Sequence, residues 1–146
     1  MPRHDHIVVV ILENKHRSSV IGSRQATYLN KLAAKGANMT HSCGVTHPSQ
    51  PNYLALFSGS SHGMRSNDAR SIFGRLTTWA ISSVRQASAS EDISESLPKT
   101  GFRGCTSGRY VGKHNPWVNF GTLPATTNRP FSAFPRDYRK LRRCRL

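Results

Sequence analysis

Ile7-Val8-Val9-Val10-Ile11-Leu12 is an unbroken run of branched apolar side chains near the start of the chain. A strand with one solvated face alternates apolar and polar residues, whereas a strand buried on both faces of a parallel sheet is apolar throughout. The run therefore predicts a central strand of a parallel sheet. Glu13 and Asn14 follow it directly, and open α/β folds bind their ligands at the carboxyl ends of such strands. Position alone makes these two residues candidates for a site.

The segments that follow the run continue this pattern. Between residues 26 and 35 apolar side chains recur at helical spacing, and Gly36 is a typical helix stop. Residues 37–40 then predict a short strand. A strand, a helix and a strand in succession predict an α/β architecture with right-handed crossovers. We expect the apolar face of the helix to pack into the core; its members are Tyr28, Leu29 and Leu32.

Length and charge limit the possible classes of protein. A chain of 146 residues predicts a single domain. Lys and Arg number 21 against seven acidic residues, which gives a formal charge of +14 and favours polyanionic partners. Five of the basic residues lie in residues 139–146, a basic tail. A small nucleic-acid-binding protein is one alternative, but it should interleave basic and aromatic residues on one face, and the tail has neither aromatics nor periodicity.

Targeting and cysteine signals are weak. The apolar run at residues 7–12 is too short to cross a bilayer, and residues 1–5 lack the design of a secretion signal. We therefore expect a soluble chain without a transmembrane segment or a signal peptide of its own. The spacing of Cys43, Cys105 and Cys144 matches no zinc module.

The segment Thr46-His47-Pro48-Ser49-Gln50-Pro51-Asn52-Tyr53 holds a hydroxyl between two prolines, on a turn that opens onto a helix-like stretch at residues 53–57. Such a hydroxyl is a candidate nucleophile, and helix-end amides beside it would favour a phosphate. A bound metal ion can replace the usual histidine base. Ser and Asn beside Pro are also ordinary turn and cap residues, so a purely structural role is the alternative. The neighbouring His47 and the later His62 are weaker candidates, because each stands beside turn residues.

Four blocks of the chain, in this order, resemble blocks of a phosphoesterase family that contains bacterial acid phosphatases, phosphatidylinositol-phosphate phosphatases and phospholipases C. The blocks are residues 6–15, 36–40, 45–59 and 113–118, and the resemblance extends over residues 6–64 and 95–138. It implies an alkaline-phosphatase-like α/β fold with a parallel-sheet core. Residues 1–138 would form the amino-terminal part of such a domain, incomplete at its C-terminal side.

The resemblance also implies a set of site residues. Glu13 and Asn14 would be metal ligands, Ser49 the nucleophile, Asn52 a donor to a phosphate oxygen, and His114 a second catalytic group facing the same phosphate. Carboxylate and amide oxygens suit a hard divalent ion, and an imidazole can donate to a leaving oxygen. For His114, a loop histidine packed by Trp117 is the alternative interpretation.

The function that the resemblance implies is metal-dependent hydrolysis of a phosphate ester, either a small molecule or a phospholipid head group. A catalytically inactive relative that still binds phosphorylated ligands through Ser49 and His114 is a further alternative. Retained phosphate affinity without metal binding would favour that alternative.

Two segments depart from the family pattern, residues 75–94 and 139–146. Codons chosen for Leu76 through Ile93, read in the neighbouring phase, can spell a segment of the family, and the same holds for the tail. We therefore hypothesise two frameshifts, which the nucleotide sequence of the gene tests. We expect residues 75–94 to be poorly packed and the chain to be an impaired form that ends before the remaining metal ligands. Cys105 should be a free thiol, because Ala69 stands where the family often has its disulfide partner.

Overall fold

The computed structural model describes residues 6–68, 73–74, 78 and 90–141. The chain divides into two compact units. The larger unit comprises Met1–Ile7 and Gly44–Leu146, and the smaller unit is Val8–Cys43.

The smaller unit contains two helices, α1 at Arg17–Val20 and α2 at Thr27–Lys35. Helix α2 ends as the sequence predicts, because the Gly36 N–H donates to the Leu32 carbonyl oxygen at 3.0 Å. The prediction that its apolar face packs into the core is wrong: Tyr28 is 74% exposed and Leu32 is 54% exposed. The structure describes every residue from 8 to 43, and none of them is buried. Two short helices without a sheet cannot enclose a core of their own.

The apolar run at residues 7–12 forms no strand, and among the described residues no strand pairs with it. Its side chains range from 47% exposed at Ile11 to 74% exposed at Val10. The expected strand, buried on both faces, is therefore absent from this structure. Such a strand needs hydrogen-bonded neighbours and a covering layer on each face. The strand expected at residues 37–40 is absent as well.

The larger unit combines one long helix with four short strands. Helix α3 is Ser49–Ser58. Strand β1, Asp92–Ser94, pairs in parallel with β4, Asn128–Pro130, and β2, Thr106–Ser107, forms an antiparallel hairpin with β3, Tyr110–Val111. The rest is mainly 3-10 helix, at Gly112–His114, Pro116–Asn119, Ala125–Thr127, Phe131–Ala133 and Tyr138–Lys140. Helices with a small parallel sheet make this a partial α/β fold, as predicted.

The core of the larger unit joins α3 to the segment that follows β3. Leu54 and Phe120 are completely buried, and Phe57 packs between Trp117 and Phe120 at ring-centroid distances of 5.2 and 5.4 Å. Leu123 closes the cluster. Burying a large aliphatic or aromatic side chain stabilises a fold by about 1.5–3 kcal/mol. The cluster therefore fixes the position of α3 against residues 112–120.

The departures from the family pattern are only partly visible. Within residues 75–94 the structure describes Thr78, which is 1% exposed, and residues 90–94, which include strand β1. Thr78 is thus buried and residues 90–94 are partly buried. The remainder of that segment lies outside the described residues, as do residues 142–146 of the basic tail. Cys43 and Cys105 are both free, exposed thiols.

Among the helices that the structure describes, none has the length and apolarity that a membrane crossing requires.

Candidate active site

Ser49 is the first residue of α3, and Pro48 is its N-cap with extended backbone angles. Pro51 fits the first turn of the helix, where its missing N–H costs no helical hydrogen bond. The helix ends at Gly59, whose φ of +79° is left-handed and whose N–H donates to the Ala55 carbonyl oxygen. The two prolines and this glycine thus set the start and the end of the helix that carries Ser49. The Ser49 side chain is partly buried.

Asn52 holds the loop that precedes Ser49. Its Oδ1 accepts the N–H groups of Val45 and Thr46 at 2.8 and 3.0 Å. Its Nδ2 donates to the carbonyl oxygens of Thr46 and Pro48. Both amide hydrogens of Asn52 are therefore engaged with backbone in this structure. The predicted role of Asn52 as a phosphate donor stays a proposal that requires one of these bonds to be exchanged for a phosphate oxygen.

Gln50 anchors the start of α3 from inside the unit. Its backbone N–H donates to Asn67 Oδ1 at 3.1 Å, and its completely buried side chain donates through Nε2 to the Asp68 carbonyl oxygen at 2.7 Å. Asn67 therefore acts as a capping residue from 17 positions along the chain. Sequence reasoning missed this contact, because local spacing carries no signal for it. Since Asn67 occupies the Gln50 amide and Pro51 has none, the helix start offers few amides to a phosphate.

His114 lies at the end of the 3-10 helix Gly112–His114, which contacts α3. Its ring stacks on Tyr53, with centroids 5.8 Å apart and an interplanar angle of 28°. Tyr53 follows Ser49 by four positions, about one helical turn. The structure thus brings the element that carries His114 against the first turns of the helix that Ser49 begins. The Trp117 ring packs on Phe57 instead.

Two titratable side chains of the larger unit, Asp92 and Tyr110, have raised pKa values. Asp92 Oδ2 accepts the Ser94 hydroxyl at 2.7 Å. Burial raises the pKa of Asp92 above its usual range, and the Ser94 hydroxyl offsets part of that shift. Burial also raises the pKa of Tyr110 to about 12, and the Asp92 charge acts in the same direction. Sequence reasoning assigned none of these residues a role.

Glu13 and Asn14 belong to the smaller unit. Glu13 is partly buried, and Asn14 is exposed with a φ of +67°, a left-handed conformation that Asn tolerates better than most residues. In the part of the chain that the structure describes, no three His, Cys, Asp or Glu residues are grouped as metal ligands. A hard divalent cation takes about six or more oxygen ligands. Two donors therefore do not fit a complete metal site.

Ser58 and His62 form a second hydroxyl–imidazole pair, at 2.7 Å between Oγ and Nε2. The Ser58 hydroxyl also lies 2.8 Å from the Leu54 carbonyl oxygen, as donor, and the His62 ring packs on Phe73 at 5.1 Å. If Nε2 carries the proton, His62 donates to Ser58 and Ser58 donates to Leu54, so the hydroxyl and Nε2 both have partners. This pair closes the end of α3 and is best explained as a helix cap.

These features define a partial α/β protein whose candidate site centres on a serine at a helix start, with a histidine on the neighbouring element. Residues 20–142 match the model of the Phosphoesterase family. Because the match extends over most of the chain, this protein belongs to the phosphoesterase family.

Several relatives carry phosphatase names. The chain is 40% identical to a phosphatidylinositol-3-phosphatase of Mycobacterium tuberculosis over 93% of its own length and 46% of that protein's length. It is 33% identical to a phosphate-repressible acid phosphatase of Penicillium chrysogenum, over 70% of the chain and 26% of the relative. An acid phosphatase of Aspergillus fumigatus is 32% identical, over 67% of the chain and 24% of the relative. The chain thus spans less than half the length of these relatives. No solved structure matches it significantly.

Proposed function

We propose that this chain contributes to the hydrolysis of phosphate esters, with Ser49 as the nucleophile and His114 as the proton donor. The observation that carries the proposal is the stacking of His114 on Tyr53, in the helix that Ser49 begins. Membership of the phosphoesterase family and the phosphatase names of the relatives support the same reaction class.

The chemistry follows from these two side chains. The Ser49 oxygen attacks phosphorus and forms a phosphoserine, and its hydroxyl proton passes to water. The bond from phosphorus to the alcohol oxygen breaks, and that oxygen takes a proton from His114. Water then attacks the phosphoserine and gives a proton back to His114, while the bond from phosphorus to the Ser49 oxygen breaks, that oxygen regains a proton from water, and inorganic phosphate is released. Asn52 fixes the loop before Ser49 and so limits the directions in which the hydroxyl can point. Glu13 and Asn14 are proposed as two oxygen donors of an otherwise incomplete divalent-cation site.

The substrate class is a phosphomonoester. Relatives named as acid phosphatases and as a phosphatidylinositol-3-phosphatase favour a monoester, on a small molecule or on a lipid head group. Hydrolysis of a phosphodiester, as in phospholipase C, has no such support among these relatives and is the secondary proposal.

The decisive experiment is hydrolysis of p-nitrophenyl phosphate by the chain, with and without added Mg²⁺, Mn²⁺, Ca²⁺ or Zn²⁺. We expect Ser49→Ala to abolish turnover and His114→Ala to lower it by about 100- to 10,000-fold. Ser58→Ala is the matched control, since it makes the same change in the same helix, at a serine that is hydrogen-bonded to His62. Unchanged turnover in Ser49→Ala refutes the nucleophile assignment, and loss only in Ser58→Ala would move it to the other pair.

The inactive alternative is tested with the same proteins. If the wild-type chain shows no turnover, titration with inorganic phosphate followed by calorimetry measures binding directly. Binding that Ser49→Ala and His114→Ala both weaken would support a phosphate-binding chain without hydrolysis. Absence of both turnover and binding would refute the proposed function.

A further inference from the structure

Asn115, directly after His114, is a buried asparagine to which the sequence assigned no role. It is 2% exposed. It ends the 3-10 helix Gly112–His114, because its N–H donates to the Gly112 carbonyl oxygen at 3.0 Å. It also begins the next 3-10 helix, because its Oδ1 accepts the Trp117 N–H at 3.0 Å. One residue therefore fixes the backbone directly after His114, through its own N–H and its side chain.

The amide nitrogen of Asn115 ties this junction to the parallel sheet. Its Nδ2 donates to Ser94 Oγ in β1 and to Asn128 Oδ1 in β4, each at 3.1 Å. The Ser94 hydroxyl donates a hydrogen bond to Asp92, and the Asn128 side chain donates to the Phe102 carbonyl oxygen at 3.3 Å. Both hydrogens of the Asn115 amide and its oxygen thus have partners. A buried polar network that is satisfied in this way rigidifies the groups it joins, and breaking it leaves costly unpaired atoms.

We propose that Asn115 is a positioning residue that holds the His114 ring against Tyr53, through its bonds to Trp117 on one side and to Ser94 and Asn128 on the other. His114 has its ring on α3 and its backbone in a junction anchored on the sheet, so the direction of the ring is set by Asn115. The catalytic consequence rests on the proposed function of His114; the positioning itself does not.

The substitution Asn115→Asp distinguishes the hydrogen bond that the side chain accepts from the two that it donates. An aspartate keeps an oxygen for the Trp117 N–H but replaces the donor to Ser94 and Asn128 with an acceptor, which faces the oxygen of Asn128. The readout is the ring spectrum of His114 by NMR on the full chain, with the cross-peak between the His114 and Tyr53 rings. Asn30→Asp is the matched control, because Asn30 also accepts a backbone N–H, from Gly22, and donates to a carbonyl oxygen, of Ser23.

We expect Asn115→Asp to shift the His114 ring signals and to remove the cross-peak with Tyr53, while cross-peaks between Phe57 and Trp117 persist. Asn30→Asp should leave the His114 signals in place. A folded Asn115→Asp protein with unchanged His114 signals would overturn the proposal. If Asn115→Asp does not fold, Ser94→Ala decides: it removes one anchor of the amide and should shift the same signals less, and unchanged signals would again overturn the proposal.

Kinetics distinguish this inference from the proposed function. With p-nitrophenyl phosphate, Asn115→Asp should lower kcat with little change in KM, since a misdirected proton donor affects the reaction more than substrate binding. Shifted His114 signals in a chain without wild-type turnover would leave the positioning intact and count against the proposed function alone. Normal kcat in Asn115→Asp with shifted His114 signals would count against a catalytic role for His114.

Discussion

At the scale of single residues, Asn52 illustrates how one side chain can define a site without touching a substrate. The side-chain amide of Asn52 holds the loop before Ser49 through two accepted and two donated hydrogen bonds. We predict that Asn52→Ala lowers the free energy of unfolding by about 1–3 kcal/mol, the usual cost of leaving such partners unpaired. Asn52→Asp keeps the acceptor and should cost less. Urea unfolding of both variants checks the order, and equal losses would show that the accepted bonds contribute nothing.

Asp92 provides a pH-dependent prediction. Because burial raises its pKa above the ordinary value of 3.8, the folded state keeps a proton that the unfolded chain releases. Its contribution to stability is complete below pH 3.8 and is lost as the pH rises through the raised value. Asp92→Asn should therefore stabilise the protein at pH 7 relative to wild type, with a smaller gain at pH 4. Urea midpoints at the two pH values measure this difference.

Asp137 is the matched control for this experiment, because its pKa shifts the other way. Hydrogen bonds from the exposed Arg139 lower the pKa of Asp137. Its contribution is present above the ordinary pKa and is lost as the pH falls. Asp137→Asn should thus weaken the protein slightly at pH 7. A gain from both substitutions at neutral pH would show that removing any carboxylate helps, and that burial of Asp92 is not the cause.

At the scale of elements, helix α3 lends itself to a paired comparison. Leu54 is completely buried and Leu56, two positions later, is 59% exposed. We predict that Leu54→Ala lowers the free energy of unfolding by about 2–5 kcal/mol through the lost contacts and the remaining cavity. Leu56→Ala should change it by less than about 0.5 kcal/mol. Chemical unfolding measures both, and similar values would mean that the aromatic cluster is not the core of this unit.

The two helices and the missing strands show which elements the sequence could predict. Helix α2 was predicted from its spacing and from Gly36, and α3 from the apolar residues after Pro51, because helical hydrogen bonds are local. The prediction of a strand at residues 7–12 is wrong, because a strand forms only with hydrogen-bonded partners that the local sequence does not identify. For the same reason β1 and β4, which pair across 36 positions, were not foreseen.

The candidate site divides in the same way. The placement of Ser49 at a helix start and the candidacy of His114 came from local motifs and a family resemblance. The bonds from Asn67 to Gln50 and from Asn115 to Asn128 did not, because they link side chains of segments that are distant in sequence. Long-range polar contacts of this kind leave no spacing pattern to read.

At the scale of the whole molecule, the two units differ in how much they bury. Helix α3 has five buried residues, whereas α2 has none. Backbone amides exchange with solvent by local opening, which costs little where few apolar contacts must break. We therefore predict that amides of α2 exchange faster than those of α3. Hydrogen–deuterium exchange with mass spectrometry resolves the two helices, and equal protection would contradict the prediction.

The exposed thiols give each unit its own point of attachment for a probe. Cys43 is the last residue of the smaller unit and Cys105 lies in the hairpin region of the larger one. After Cys144→Ser, a donor dye and an acceptor dye can be attached to these two cysteines. The efficiency of energy transfer between the dyes, measured during titration with a divalent ion, would report whether the unit that carries Glu13 approaches the unit that carries Ser49.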